Sequence, residues 1–328
     1  MRIGITGATG FLGHHLCRGL QAAGHEVLAL GRDGKKGRGL ELQGLRFVSV
    51  DLQDRQGLVQ AFEGLDIVVH AAALSSVWGP YEKFYRINVL GTKNVVEACR
   101  KNGIGKLVYI SSSSVYFNFR DRFEIAESAA LAEPSPSCYT RSKVAAERVI
   151  MEAEGLDWVV LRPRGIFGPG DGSIIPRVLR IARKGWFPLP RKGEVWVDLT
   201  YVENLVQLVS LVVKAEPAAW RQVYNVSNGQ PVLIADFFDQ VMKGIGVCPR
   251  KLNTPVWLMK RVGSGVESLA RVLGLGEPPL TRYTVGLLCH DQTLDISNAR
   301  ERLGYVPCCT IEEGVRRTVE SMKEAEGE

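Results

Sequence analysis

A chain of 328 residues, 45% hydrophobic and 23% charged, has enough apolar surface for one large α/β core with a smaller appendage, which predicts a soluble globular protein. Its net charge of +6 is modest and mixed in sign along the chain, which gives no case for nucleic acid as a partner. The seven cysteines are scattered apart from Cys308-Cys309 and form no Cys-x-x-Cys pair, so no metal site is expected and a reducing cytoplasm fits best.

The first residues read as strand, turn and helix. Arg2-Ile3-Gly4-Ile5-Thr6 is a short apolar strand, better used so than as a signal peptide. Three glycines at spacing three follow in Gly7-Ala8-Thr9-Gly10-Phe11-Leu12-Gly13, and Phe11, Leu12, Leu16, Leu20 and Ala23 recur at helical intervals. Gly7 would allow a tight turn, Gly10 would let the backbone approach a pyrophosphate, and Gly13 would let the helix pack closely on the sheet, with phosphates at its positive N-terminus. The spacing is Gly-x-x-Gly-x-x-Gly rather than the commoner Gly-x-Gly-x-x-Gly. An ordinary glycine turn is the competing reading, and the strand and helix around it favour a dinucleotide.

Further strands are expected at 26–30, 46–50, 66–70, 106–111 and 157–161, with helical patterns such as 58–62, 81–101 and 142–153 between them. That alternation predicts a doubly wound parallel sheet. Such sheets bind ligands at the carboxyl ends of their strands, where Gly7, Asp51, His70-Ala71-Ala72-Ala73, Ser111-Ser112 and Arg162-Pro163 fall. After the second strand the chain reads Leu30-Gly31-Arg32-Asp33-Gly34-Lys35-Lys36-Gly37-Arg38. An acid at this place bonds the ribose 2′-hydroxyl of NAD(H), whereas an arginine accommodates the 2′-phosphate of NADP(H). Arg32 in a basic loop favours NADP(H), Asp33 keeps NAD(H) open, and a solvated loop is the bland alternative.

Tyr139 and Lys143 lie four residues apart in a helical stretch, so both side chains share one face and the ammonium can favour the ionised phenol. A phenol so placed can pass a proton to or from a carbinol oxygen. Arg164, just after Pro163 at the end of the sixth strand, is costly to desolvate without an anionic partner. Asp171, a cofactor pyrophosphate and a substrate carboxylate are the partners to consider.

After Gly168-Pro169-Gly170-Asp171 the pattern shifts to helices and short strands at 174–184, 195–199, 234–245 and 256–273, while 202–213 and 222–226 return to the sheet. The expected division is therefore 1–165 plus about 200–227 as a dinucleotide-binding domain, with 166–199 and 228–328 as a smaller, discontinuous substrate lobe. Trp257, Leu258, Val262, Val266, Leu269 and Leu273 form an apolar stripe with Lys260, Arg261 and Arg271 nearby, and core packing is its expected use. Arg177, Arg180, Arg183 and Lys184 read as a solvated face. The longest apolar stretch, 205–213, falls far short of the roughly 20 residues a membrane span needs.

These motifs resemble the extended short-chain dehydrogenases/reductases of the NAD-dependent epimerase/dehydratase superfamily, in the branch of the 3β-hydroxysteroid dehydrogenases. The likeness runs through the glycine turn, Asp51-Leu52, His70 to Ala73, Trp78-Gly79, Asn88-Val89-Leu90-Gly91-Thr92, Tyr109-Ile110-Ser111-Ser112, Tyr139 with Lys143, the run from Leu161 to Asp171, and Asp198 to Asn204. It implies a Rossmann fold in which Tyr139 is the general acid/base and Lys143 holds the nicotinamide ribose and depresses the tyrosine pKa. Ser112 would bond the substrate oxygen, picked from its run by the Ser-x-x-Val spacing to Val115, with Ser111 and Ser113 as fallbacks. Asp51 and Leu52 would meet the adenine. Gly7, Thr9, Gly10, Phe11, Leu12, Gly13, Ala71, Ala72, Asn88 and Pro163 would complete the nucleotide site, and Trp78 and Arg164 would join Ser112 on the substrate side.

Nucleotide-sugar members of the superfamily carry an arginine in an Arg-Asp-Phe/Trp element, but the matching stretch here is Val197-Asp198-Leu199. The resemblance therefore implies a hydrophobic alcohol or ketone, sterol-like or a 3-hydroxy or 3-keto acid, with the region 255–275 covering the substrate or meeting a membrane peripherally. A nucleotide-sugar epimerase or dehydratase is the alternative. A non-catalytic NADP sensor is disfavoured because tyrosine and lysine are both intact. The oligomeric state stays open, a homodimer included.

Overall fold

The computed structural model describes residues 1–273, 276–278 and 281–327. Seven strands, β1 (Arg2–Thr6), β2 (Glu26–Gly31), β3 (Arg46–Ser49), β4 (Ile67–His70), β5 (Lys106–Ile110), β6 (Asp157–Pro163) and β7 (Gln222–Val226), form one sheet in the order β7-β6-β5-β4-β1-β2-β3. Every pairing is parallel, with Ile3 of β1 in register with Val27 on one side and Ile67 on the other. Parallel strands buried on both faces need apolar residues on both, and the runs Ile67–His70 and Lys106–Ile110 supply them. The strand order reverses between β1 and β4, which opens a crevice beyond their carboxyl ends.

The helices are α1 (Phe11–Ala22), α2 (Gly34–Glu41), α3 (Arg55–Ala61), α4, α5 (Cys138–Met151), α6 (Ile174–Ala182), α7 (Val202–Val213), α8 (Ile234–Ile245), α9 (Val256–Val272), α10 (Arg282–Cys289), α11 (Ser297–Leu303) and α12 (Ile311–Gly327). Helix α4 runs Tyr81–Phe84, widens into a π-helical segment at Tyr85–Leu90 and continues as Gly91–Lys101. The Thr92 hydroxyl donates to the Asn88 carbonyl at 2.6 Å inside this region, the kind of side-chain insertion that disturbs the α-helical ladder. One sheet face packs on α1 and α7 through Leu16, Leu20, Leu205 and Leu208, where Gly19 allows Val206 to approach. The other packs on α3, α4 and α5 through Leu58, Val95, Val96, Ala146 and Ile150. A third core of Phe167, Leu179, Phe187, Val197, Phe237, Phe238 and Ile311 lies under α6, α8 and α12.

Two expectations are corrected. The stripe on α9 is not core: Trp257, Leu258, Val262, Leu269 and Leu273 are exposed and Val266 is half-buried, while Met259, Gly263 and Ala270 turn inward. Met259 packs against Val285 and Cys289 of α10, so a narrower stripe offset along the helix makes the contact. The Arg271 side chain and residues 274–275 of the region lie outside the described residues. Of the basic residues on α6 and after it, Arg180, Arg183 and Lys184 are exposed, but Arg177 is ion-paired with Glu277 and faces the cleft described next. Among the described residues no helix is long and apolar enough to cross a membrane.

Candidate active site

A cavity of about 1090 Å³ opens at the carboxyl ends of β1, β2, β4, β5 and β6. Gly7 turns there at φ 74°, and a Cβ on it would stand 2.7 Å from the Ala72 Cα. A Cβ on Gly13 would stand 2.1 Å from the Gly7 carbonyl oxygen, so α1 can pack against the turn only with glycine at both places. Gly10 caps α1 without a side-chain bond, and no acid stands in the first turn, so the helix presents its positive end and free amides to the cavity. Gly7, Thr9, Gly10, Phe11, Leu12, Gly13, Ala71, Ala72 and Pro163 all line it. Such a cradle fits a dinucleotide pyrophosphate.

At the end of β2 the two candidate residues have different surroundings. Asp33 accepts from the amides of Lys35 and Lys36, both at 3.1 Å, and so caps α2. Arg32 is exposed, its Nη1 3.7 Å from Asp51 Oδ2, and it lines the cavity with Asp33, Lys36, Asp51 and Leu52. Asp51 also accepts the Gln53 amide at 2.9 Å.

Helix α5 starts where the Ser137 side chain caps the Thr140 amide, which puts Tyr139 and Lys143 one turn apart on the cavity wall. Here the structure corrects an expectation. The Lys143 ammonium is turned to the Ile110 carbonyl at 2.7 Å and stands 4.2 Å over the Tyr109 ring, not against the Tyr139 phenol. Burial lowers the Lys143 pKa to about 7, with the Glu147 carboxylate opposing. Burial raises the Tyr139 phenol above its ordinary value, the Ser112 hydroxyl opposing from its side chain, so the phenol is protonated at neutral pH. Ser112 lines the cavity beside it, whereas Ser111 donates to buried Glu147.

Two expected site residues lie elsewhere. Asn88 is buried away from the cavity, accepting from the Leu74 amide at 2.7 Å and donating to the Leu74 carbonyl and Ser142 Oγ, so it ties the segment after β4 to α5. Trp78 is not among the lining residues; its amide and carbonyl are held by Ser76 Oγ.

Arg164 does line the cavity and is 8% exposed. Asp171 is not its partner, because that carboxylate caps α6 by accepting the amides of Ser173, Ile174 and Ile175. Among the described residues the guanidinium has no ion pair; burial lowers its pKa while the Tyr283 hydroxyl and Asp198 oppose from nearby. Asp198 Oδ2 accepts the Leu294 amide at 2.6 Å, Oδ1 has no partner, and burial pushes this carboxyl up to about 6. Val178, Ile181, Phe187, Phe238, Leu287 and Leu288 give the cavity an apolar stretch of wall. Tyr283, Ser114 and Lys36 are cavity residues that the sequence did not single out; Tyr283 arrives on α10, with no local signal to mark it.

The sequence pattern of the NAD dependent epimerase/dehydratase family matches residues 3–227. The chain belongs to this family. It is an extended short-chain dehydrogenase/reductase, an oxidoreductase by its relatives. It is 37% identical over 325 residues to the 2-alkyl-3-oxoalkanoate reductase of Stenotrophomonas maltophilia, across 97% of this chain and 98% of that protein. It is 30% identical over 328 residues to the decarboxylating sterol-4-alpha-carboxylate 3-dehydrogenase of Mus musculus, across 97% of this chain and 90% of that one. The UDP-glucuronic acid 4-epimerase from Bacillus cereus, solved in complex with NAD, shares the fold at TM-score 0.76 and 21% identity over 99% of each chain. In this short-chain dehydrogenase/reductase, as the glycine cradle also indicates, the cofactor class is a nicotinamide dinucleotide.

Proposed function

We propose that this enzyme interconverts the ketone and secondary alcohol of a hydrophobic 3-oxo or 3-hydroxy acid. The observation that carries the reading is Arg164, a buried guanidinium on the cavity wall with no ion pair among the described residues. An unpaired buried charge costs several kcal/mol, roughly, and a substrate carboxylate gripped in bidentate fashion would offset it. The names of the relatives agree, since a 3-oxoalkanoate and a sterol 4-carboxylate that is oxidised at carbon 3 both carry a carboxyl one carbon from the reacting carbon.

A bound nicotinamide dinucleotide would supply or accept the hydride at that carbon. Gly7, Gly10 and the first amides of α1 would hold its pyrophosphate, Asp51 and Leu52 would meet the adenine, and Lys143 would hold the ribose hydroxyls. Tyr139, neutral in its buried setting, donates its proton to the ketone oxygen in reduction and recovers it in oxidation. Ser112 holds the same oxygen, and Arg164 fixes the far end of the substrate so that the reacting carbon is positioned. The apolar wall takes the tail, and the exposed stripe of α9 with Lys260 and Arg261 suits contact with an amphipathic surface such as a membrane face.

Three measurements test this reading. Reduced nucleotide should appear in solution in step with oxidised substrate, whereas an epimerase would show no net redox change. A 3-hydroxy acid with a bulky apolar tail is expected to react about tenfold or more faster, in kcat/KM, than its methyl ester, and Arg164→Met is expected to abolish the difference. Acid and ester reacting equally well in the parent enzyme would remove Arg164 from substrate binding. NADP(H) is the favoured cofactor because Arg32 and Lys36 face the cavity, whereas Asp33, which lines it too, is engaged as a cap by the amides of Lys35 and Lys36. Arg32→Ala should therefore weaken NADPH about tenfold or more and NADH far less, a charge-assisted bond being worth roughly 1.5 to 3 kcal/mol. Fluorescence titration of both nucleotides checks it, and equal losses would show the loop to be a solvated surface.

A further inference from the structure

We infer that Arg164 is one part of a three-residue carboxylate subsite, and that Tyr283 and Ser114 complete it and set the preference for acid over ester. The inference rests on the 3-oxo acid reading above and names residues that no motif marked.

The three groups come from separate elements, Arg164 after β6, Tyr283 on α10 and Ser114 in the loop after β5, and all three line the one cavity, Tyr283 near both of the others. All are more than nine-tenths buried, Tyr283 at 7% exposed and Ser114 at 5%. The Ser114 hydroxyl makes no hydrogen bond to any described residue, and the Tyr283 hydroxyl is turned toward those of Ser114 and Thr140 and toward the Arg164 guanidinium. A buried hydroxyl without a partner and a buried guanidinium without an ion pair are both costly, and here Ser114 and Arg164 flank Tyr283 on a wall where a carboxylate with its lone pairs would satisfy them together. Asp198 is the only carboxylate acting on Arg164 among the described residues, but it forms no ion pair with it and its Oδ2 is taken by the Leu294 amide, so the guanidinium keeps its donors for a ligand.

Position gives the second argument. Tyr283 lies near both Tyr139 and Arg164 and lines the same cavity, so a carboxylate held beside it shares the wall that carries Tyr139. The phenol is also held rigidly: its ring meets Phe117 edge-on at 5.6 Å, and a capping box of Thr281 and Thr284 starts its helix. A preorganised donor discriminates between acid and ester better than a mobile one.

The test compares Tyr283→Phe and Ser114→Ala with the parent, using a long-chain 3-hydroxy acid and its methyl ester as probes. Tyr283→Phe is expected to lower kcat/KM for the acid by about ten- to a hundredfold more than for the ester, mainly through KM, as loss of a bond to a charged group does. Ser114→Ala, which removes only a hydroxyl and guards against a folding failure, should shift the same ratio in the same direction. NADPH affinity should stay at the parent value in both. If the parent prefers acid and Arg164→Met abolishes that preference while neither new variant alters it, the subsite falls and the 3-oxo acid reading stands. Equal losses on acid and ester would likewise overturn it and leave Tyr283 a packing residue. A parent without acid preference would sink the underlying reading itself.

Discussion

Tyr139→Phe is expected to lower turnover by roughly 10² to 10⁴-fold while nucleotide affinity changes little, as loss of a general acid does. The ring keeps its place and volume, so only the hydroxyl facing Ser112 is lost. Ser112 cannot replace it, because a serine hydroxyl is too weak an acid to release a proton to a ketone oxygen at neutral pH. Nor can Lys143, whose ammonium is engaged with the Ile110 carbonyl. Burial raises the phenol, so its proton is present throughout the neutral range and the phenol itself gives reduction no pH dependence there, whereas oxidation, which needs the phenolate, should quicken as pH rises. Stopped-flow measurement of nucleotide oxidation in parent and variant checks the claim, and a Tyr139→Phe enzyme with near-parental turnover would end the mechanism.

What the sequence could reveal was local. The glycine turn, the strand and helix alternation and the Tyr139–Lys143 spacing depend on neighbours in the chain, and the structure puts all of them at one crevice. The direction of the Lys143 ammonium depended on the Ile110 carbonyl, an acceptor from another element, so the spacing rule predicted the shared face but not the partner. Asp171 was a reasonable partner for Arg164 by proximity in sequence, yet the amides at the start of α6 claim it. Asn88 belongs to a family motif, but its side chain is fully used between Leu74 and Ser142. On α9, periodicity marked a stripe but could not say which stripe meets the protein, and that was decided by Met259 against α10. Tyr283 was invisible because only the tertiary fold carries α10 to the cavity.

Arg162→Met or Glu147→Gln alone should destabilise the protein by about 3 to 5 kcal/mol, the usual consequence of stranding one member of a buried ion pair. The pair is 4% and 2% exposed, with Arg162 Nη2 2.6 Å from Glu147 Oε2 and Nε 3.0 Å from Oε1. Ser111 donates to the same carboxylate, Arg162 Nη1 donates to the Tyr116 hydroxyl at 2.6 Å, and that hydroxyl donates to Asn225 at 2.9 Å. The network thus joins β6, α5, the loop after β5 and β7. Glu147 lies one turn beyond Lys143, Arg162 two residues before Arg164, and Ser111 next to Ser112. The double variant Arg162→Met with Glu147→Leu removes both charges and should recover most of the lost stability, since an apolar replacement of a buried pair is often neutral or better. It should not recover turnover, because the side-chain network that ties α5, the serine loop and the Arg164 strand is then gone, and misplacement by about 1 Å can cost a hundredfold. Urea melts give the first half and kcat the second. A double variant as active as the parent would reduce the network to a fastener with no part in positioning the chemistry.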